Sequence, residues 1–230
     1  MFGLDVANMR ISFDYGLLDN LMIGGGRSSL NQEFDGFAKW RIIQQTKGTK
    51  PVPLSVLVAA GYLVYTEPSY VNSPKLTFSD RSAYYVQLIA GRKFSQSFTL
   101  QLSPIWVHRN MIEGNREAYR LFEAMLDEQG KDIFAMGLGG RLKLSKRFGL
   151  TFDWHHPFNG IDRDVFTDPV SFGVDIETGG HVFQLHFTNS VGMNELTYVA
   201  ETRRSDIFGG GFRFGFNLSR VFQLTKKRSM

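Results

Sequence analysis

Apolar and polar residues alternate one by one along nearly the whole chain. This period of two restricts the fold more than any other feature. Residues 212–224 show it best: Phe212, Phe214, Phe216, Leu218, Phe222 and Leu224 fall on one face, interrupted by Arg220. Arg213, Gly215, Asn217, Ser219 and Gln223 fall on the other. A helix, with about 3.6 residues per turn, would mix the two sets. In residues 7–15, Ala7, Met9, Ile11, Phe13 and Tyr15 oppose Asn8, Arg10, Ser12 and Asp14. In residues 34–42, Ala38 and Trp40 oppose Asp35, Lys39 and Arg41, and Phe37 breaks the pattern. The same alternation recurs in residues 52–64, 82–90, 98–106, 134–144, 148–154, 172–177 and 183–188, and a glycine-rich strand fits residues 21–27. The sequence predicts about eleven strands, most near the ~9–11 residues that cross a bilayer when tilted.

Alternation alone fits a soluble sandwich, or a membrane barrel with the apolar face turned outward to lipid. The connections separate the two. Short ones fall at residues 17–20, 92–96, 145–147 and 177–180, with 46–50 intermediate. Long ones fall at 67–81, 110–130, 157–168 and 191–206. Short turns on one side and long loops on the other are the outer-membrane arrangement. Tyr62, Tyr65, Tyr84, Tyr85, Trp106 and Trp154 lie near strand ends, as an aromatic girdle requires. Residues 116–126, within the long extracellular loop 110–130, suit a short helix.

Composition agrees. Hydrophobic residues make up 43% of the 230, yet no apolar run reaches the roughly 18 residues of a membrane helix. The best stretch, residues 51–65, is short and carries Pro51, Pro53, Ser55 and Gly61. There is no cysteine, which excludes disulfides and thiolate metal sites. Net charge is only +4, and no basic stripe interleaved with aromatics supports nucleic-acid binding. The predicted fold is therefore all-β: one transmembrane up-and-down antiparallel β-barrel over residues 1–230. It would stand in a bacterial outer membrane, in contact with bilayer lipid and lipopolysaccharide, with no cofactor.

Parity adds an expectation. Eleven strands would leave the chain ends on opposite sides, whereas bacterial barrels have an even strand number. The first residues do not form a signal peptide. The sequence therefore predicts about twelve strands, the first supplied by a longer natural N-terminus. The competing reading is a strand merged or missed near residues 196–201.

Three stretches resemble a known family. They are Tyr15-Gly16-Leu17-Leu18-Asp19-Asn20 with Gly26-Arg27-Ser28-Ser29, then residues 173–190 (Gly173-Val174-Asp175-Ile176-Glu177-Thr178-Gly179-Gly180 onward), and Phe214-Gly215-Phe216-Asn217-Leu218. They are similar to an outer-membrane β-barrel family of Bacteroidetes-type Gram-negative bacteria, classed as a domain of unknown function. The resemblance covers nearly all of the chain. It implies the barrel, its location and an additional N-terminal strand, and it implies no chemistry.

Three functions compete. The first is a narrow channel for small solutes. About eight strands give a filled interior and about sixteen an aqueous pore, so about twelve lies between. The lumen face would carry Arg10, Lys39, Arg41, Arg141, Lys143 and Arg213, with Asp14, Asp35, Asp153, Asp175 and Glu177. Charge rings select small solutes; the same charges can instead pair and fill the barrel. Lumenal glycines (Gly61, Gly91, Gly137, Gly139, Gly173, Gly215) would leave space. The second is a structural or docking barrel for an envelope protein, using basic ends such as Lys47, Lys50, Arg92, Lys93, Lys146, Arg147, Lys226, Lys227 and Arg228. The third is a lipid-face hydrolase. A hairpin centred on Ser95 would bring Ser82 opposite His108, with Asp132 alongside, and these are the parts of an activated nucleophile. His155 and His186, near Asp153 and Asp175, would face the lumen, where hydrogen bonding is their ordinary role and a metal or proton-linked site the sharper one. Gly24-Gly25-Gly26 is not a phosphate loop, because no helix start follows it.

Overall fold

The computed structural model describes residues 8–66, 77–110, 131–204 and 211–222. Eleven strands form one sheet in sequence order, every neighbour antiparallel. They are β1 (Arg10–Leu18), β2 (Leu21–Ser28), β3 (Glu33–Ile43), β4 (Ser55–Tyr65), β5 (Ser82–Lys93), β6 (Phe98–Arg109), β7 (Asp132–Lys143), β8 (Phe148–Pro157), β9 (Val170–Glu177), β10 (His181–Thr188) and β11 (Arg213–Arg220). The uncertain glycine-rich segment is thus a strand, β2. Large apolar residues dominate the outward positions: Phe13, Trp40, Tyr62, Leu88, Phe134, Phe172, Phe187 and Phe216 are all exposed. Such an apolar belt is stable only against lipid.

The short turns join β1 to β2, β5 to β6, β7 to β8 and β9 to β10, as the alternation of loop lengths predicts. The region of residues 116–126 lies outside the described residues. β1 and β11 both run from the long-loop end to the short-turn end. They are codirectional, so fully antiparallel closure of the ring takes one further strand running the other way.

Residues 191–204 are not an open loop. They fold back into the lumen and carry one short helix, α1 (Glu195–Ala200). The competing idea of a strand at residues 196–201 therefore gives way to a helix. Asn194 caps it, its side chain accepting a hydrogen bond from the Thr197 backbone N–H at 3.0 Å. Leu196, Val199 and Ala200 face the wall and pack into one cluster with Leu63, Tyr65, Ala83, Tyr85, Ile105, Val107, Ile133 and Ala135. Burying an aliphatic side chain of this kind contributes about 1.5–3 kcal/mol.

The lumen is therefore filled at one end. Inward residues near the long loops (Glu33, Leu63, Tyr65, Val107, Arg109, Ile133) are buried. Those near the short turns (Arg41, Thr99, Arg141, Lys143, Glu177) are only partly so.

Two readings of inward residues need correction. Tyr65 and Tyr85 belong to the lumenal cluster, not to a girdle; Tyr62, Tyr84, Trp106 and Trp154 carry the outward aromatic positions. Five of the lumenal glycines, all but Gly91, do not widen a pore either. A Cβ on Gly61 would lie 2.3 Å from the Tyr85 ring, and one on Gly215 2.2 Å from His186 Nε2. Glycine is required at both because a large neighbour from the adjacent strand lies over the backbone.

Candidate functional site

The site is the lumen and its plug. Several of the lumen charges pair. The Arg10 guanidinium donates to both carboxylate oxygens of Asp35, the Nε bond being 3.0 Å. Arg141 bridges two carboxylates, with Nε to Asp175 at 2.9 Å and Nη2 to Glu177 at 2.8 Å. Gln184 also donates to Asp175, at 2.9 Å. Arg41 turns to the short-turn end and donates to the Asp19 carbonyl at 2.9 Å. Arg213 donates to the Asn189 carbonyl at 3.1 Å. Asp14 sits beside Gly24, whose missing side chain also makes room for the Phe37 ring. This is why Phe37 breaks the alternation: it turns inward, with Lys39 Nζ 4.6 Å above its ring centroid. Lys143 stands half-buried at the end of β7.

The plug is tied to the wall on several sides. Lys39 of β3 pairs with Glu195 at 3.4 Å. Asn194 donates to buried Glu33 at 3.0 Å. The Tyr65 hydroxyl donates to Glu201. Arg109, fully buried, donates to the carbonyls of Ala200 at 3.1 Å and Gly160 at 3.0 Å. The Tyr198 and Ser171 hydroxyls share a bond of 2.8 Å. Charged groups this deep are tolerable only with such partners. Sequence reasoning missed Asn194, Tyr198 and Glu201 by reading 191–206 as a long connection, with a strand at 196–201 as the alternative. A signal was present: an Asn cap, an acidic first turn, and apolar Leu196, Val199 and Ala200 at helical spacing.

Below the plug lies a cavity of about 470 Å³. Its lining includes Lys39, Gln87, Gln101, Ser103, Asp153, His155, His186 and Asn217 from the wall, and Asn194, Glu195 and Tyr198 from the plug. His155 and His186 thus do line one space. His155 Nδ1 lies 3.0 Å from Asp153 Oδ1. Asp175, however, is held by Arg141 and Gln184. No group of three metal-ligating side chains forms among the described residues.

The outward triad does not assemble as the sequence suggested. Tyr84, not Ser82, pairs with His108 across β5 and β6. Ser82 shares a hydrogen bond with Tyr62 and donates to the Phe78 carbonyl at 2.7 Å. His108 Nδ1 meets Asp132 at 2.8 Å, but its Nε2 is bonded to Asn110 at 3.1 Å. The hairpin register is offset by two residues from the one read around Ser95, and this moves Ser82 beyond the imidazole. What His108 and Asp132 build instead occurs twice. Trp106 Nε1 donates to Asp132 at 3.0 Å beside His108. Trp154 Nε1 donates to Asp168 at 3.2 Å, beside His156 at 2.8 Å. Each Trp-x-His pair thus anchors an indole at the rim through one carboxylate.

In the loop after β8, partial burial pushes the Asp168 carboxyl up. Hydrogen bonds from His156 and Arg163 outweigh it, so its pKa lies below the usual carboxylate value.

An antiparallel sheet with an apolar outer belt and a plugged polar lumen defines a membrane-bound β-barrel. The chain belongs to the membrane bound beta barrel domain family (DUF5777), whose model matches residues 1–222. No curated protein and no solved structure is significantly similar to it.

Proposed function

We propose that the chain is a bacterial outer-membrane barrel that passes small polar solutes through a lumen gated by residues 191–204. Its long loops would face the cell exterior and its short turns the periplasm, with lipopolysaccharide and phospholipid around the belt. One observation carries this reading: the lumen is filled only at the long-loop end. Below α1 it holds a polar cavity and partly exposed charges. A barrel serving only as a support gains nothing from leaving half its interior wet and charged. The plug is displaceable in principle, because one of its wall contacts is a partly exposed ion pair, Lys39–Glu195.

A docking barrel is the second reading. The depth of the plug favours it, since Glu33, Arg109 and Glu201 are buried and bonded. Planar-bilayer recording tests both. The wild type should show rare, discrete steps. Replacing residues 191–203 by a short glycine-serine turn should give steady conductance, with ion selectivity that changes when Arg141 is neutralised. A folded plug-less barrel that stays silent would leave the docking reading.

A further inference from the structure

We infer that the cavity beneath α1 is a binding site for a neutral polyhydroxylated solute about the size of a hexose. The inference rests on reading the lumen as a solute pathway, and it names the solute class.

The first observation is a pair of buried polar groups without partners. Ser103 is 1% exposed and His155 6% exposed. Neither Ser103 Oγ nor His155 Nε2 makes a hydrogen bond. Burying such groups unmet is costly, because each has given up its hydrogen bonds to water. Both converge over one point: a Cβ on Gly137 would lie 2.3 Å from each of them. The pairing Ser103–Gly137–His155 runs straight across β6, β7 and β8, so the wall itself fixes the two groups. Both line the cavity, whose volume of about 470 Å³ falls in the range of roughly 300–1,000 Å³ usual for small-molecule sites.

The second observation is that the one lysine of the lining is already paired. Lys39 lies 3.4 Å from Glu195, and the cavity's other carboxylate, Asp153, is an acceptor of the kind that takes hydroxyl donors. A net anion would therefore find its lysine taken and a carboxylate facing it. What the lining adds is hydroxyl, imidazole and amide: Ser103, His155, Gln87, Gln101 and Asn217. These groups both donate and accept, which matches hydroxyls that do the same. The neighbouring apolar side chains Ile89 and Val199 offer surface for the C–H face of a sugar ring.

The test is equilibrium binding to the intact, plugged protein in detergent micelles, followed by saturation-transfer NMR. The probes are D-glucose, glycine and L-glutamate. Glucose should bind saturably and more tightly than either zwitterionic glycine or anionic glutamate. Ser103→Ala keeps the side-chain size and should weaken glucose roughly fivefold, the worth of about one hydrogen bond. Gly137→Ala should abolish binding; if that variant fails to fold, Gln101→Ala should weaken glucose while keeping the heat-modifiable gel mobility of the wild type. Glutamate or glycine binding more tightly than glucose would overturn the inference, as would absence of saturable glucose binding or Ser103→Ala binding unchanged. Because binding is read without transport, a silent bilayer with intact glucose binding would sink only the gating proposal. Conductance without glucose binding would sink only this one.

Discussion

Lys39 Nζ lies 3.4 Å from Glu195 Oε1, across the boundary between wall and plug. Lys39 belongs to β3 and Glu195 is the first residue of α1. Both side chains are about one-third exposed or less, so the pair contributes at most about 1 kcal/mol. Under the gating proposal, that biases the closed state about fivefold. Lys39→Ala should raise open probability in planar bilayers by up to that factor. Lys39→Glu, which sets two carboxylates together, should raise it further. Unchanged gating in both would remove this pair from the latch.

Leu196 holds the plug by packing, not by charge. It is 1% exposed within the cluster that includes Leu63, Val107 and Ile133. Leu196→Ala should cost about 2–5 kcal/mol of plug docking, since the surrounding wall cannot collapse onto the gap. Hydrogen exchange in residues 191–203 should quicken at least tenfold while the strands stay protected. Equal loss of protection in strands and plug would show that the two unfold as one unit.

Gly61 is required by its neighbour. Its missing Cβ leaves room for the Tyr85 ring, 2.3 Å from where that atom would stand. Gly61→Ala should destabilise the barrel by about 1–3 kcal/mol through overpacking. The measurement is the temperature at which the folded band is lost on a semi-native gel. Tyr85→Ala in the same chain should restore part of the loss, because it clears the clash.

Asp168 gives the long-loop rim a pH dependence. Its carboxyl is depressed in the folded protein, so its stabilising contribution is fully present above the ordinary carboxylate value, about 3.9. It is lost as pH falls through the lower folded value. Acidification below about pH 4 should therefore release Arg163 and the Trp154 indole, seen as a change in tryptophan emission. Asp168→Asn should remove this acid step; a step that persists would assign it to other carboxylates.

The strands were legible because lipid imposes a strict rule on alternate residues. Phe212, Phe214 and Phe216 needed no partner to be read, since their solvent is uniform. Lumenal residues obey no such rule. Tyr65 and Tyr85 looked like girdle aromatics because their partners, Leu196 and Val199, lie more than a hundred positions away in sequence. The sequence assigned the charges to the face opposite the apolar belt, but the pairing of Arg141 with Asp175 and Glu177 depends on register between β7 and β9, strands that are not adjacent. Ser82 and His108 failed for a related reason. A hairpin's register is set in its turn, and an offset of two residues preserves every facing while changing every neighbour.

The hydrogen bonds from Asn194 to Glu33 and from Tyr65 to Glu201 join residues 161 and 136 positions apart. They tie β3 and β4, early in the sequence, to the connection between the last two strands. The segment that fills the barrel thus also acts as a strut across its diameter. Such contacts form only once nearly the whole wall stands, so they belong to the final stage of assembly. Seating of residues 191–203 would then mark a finished barrel, and a wall arrested short of its last hairpin would remain unbraced and open.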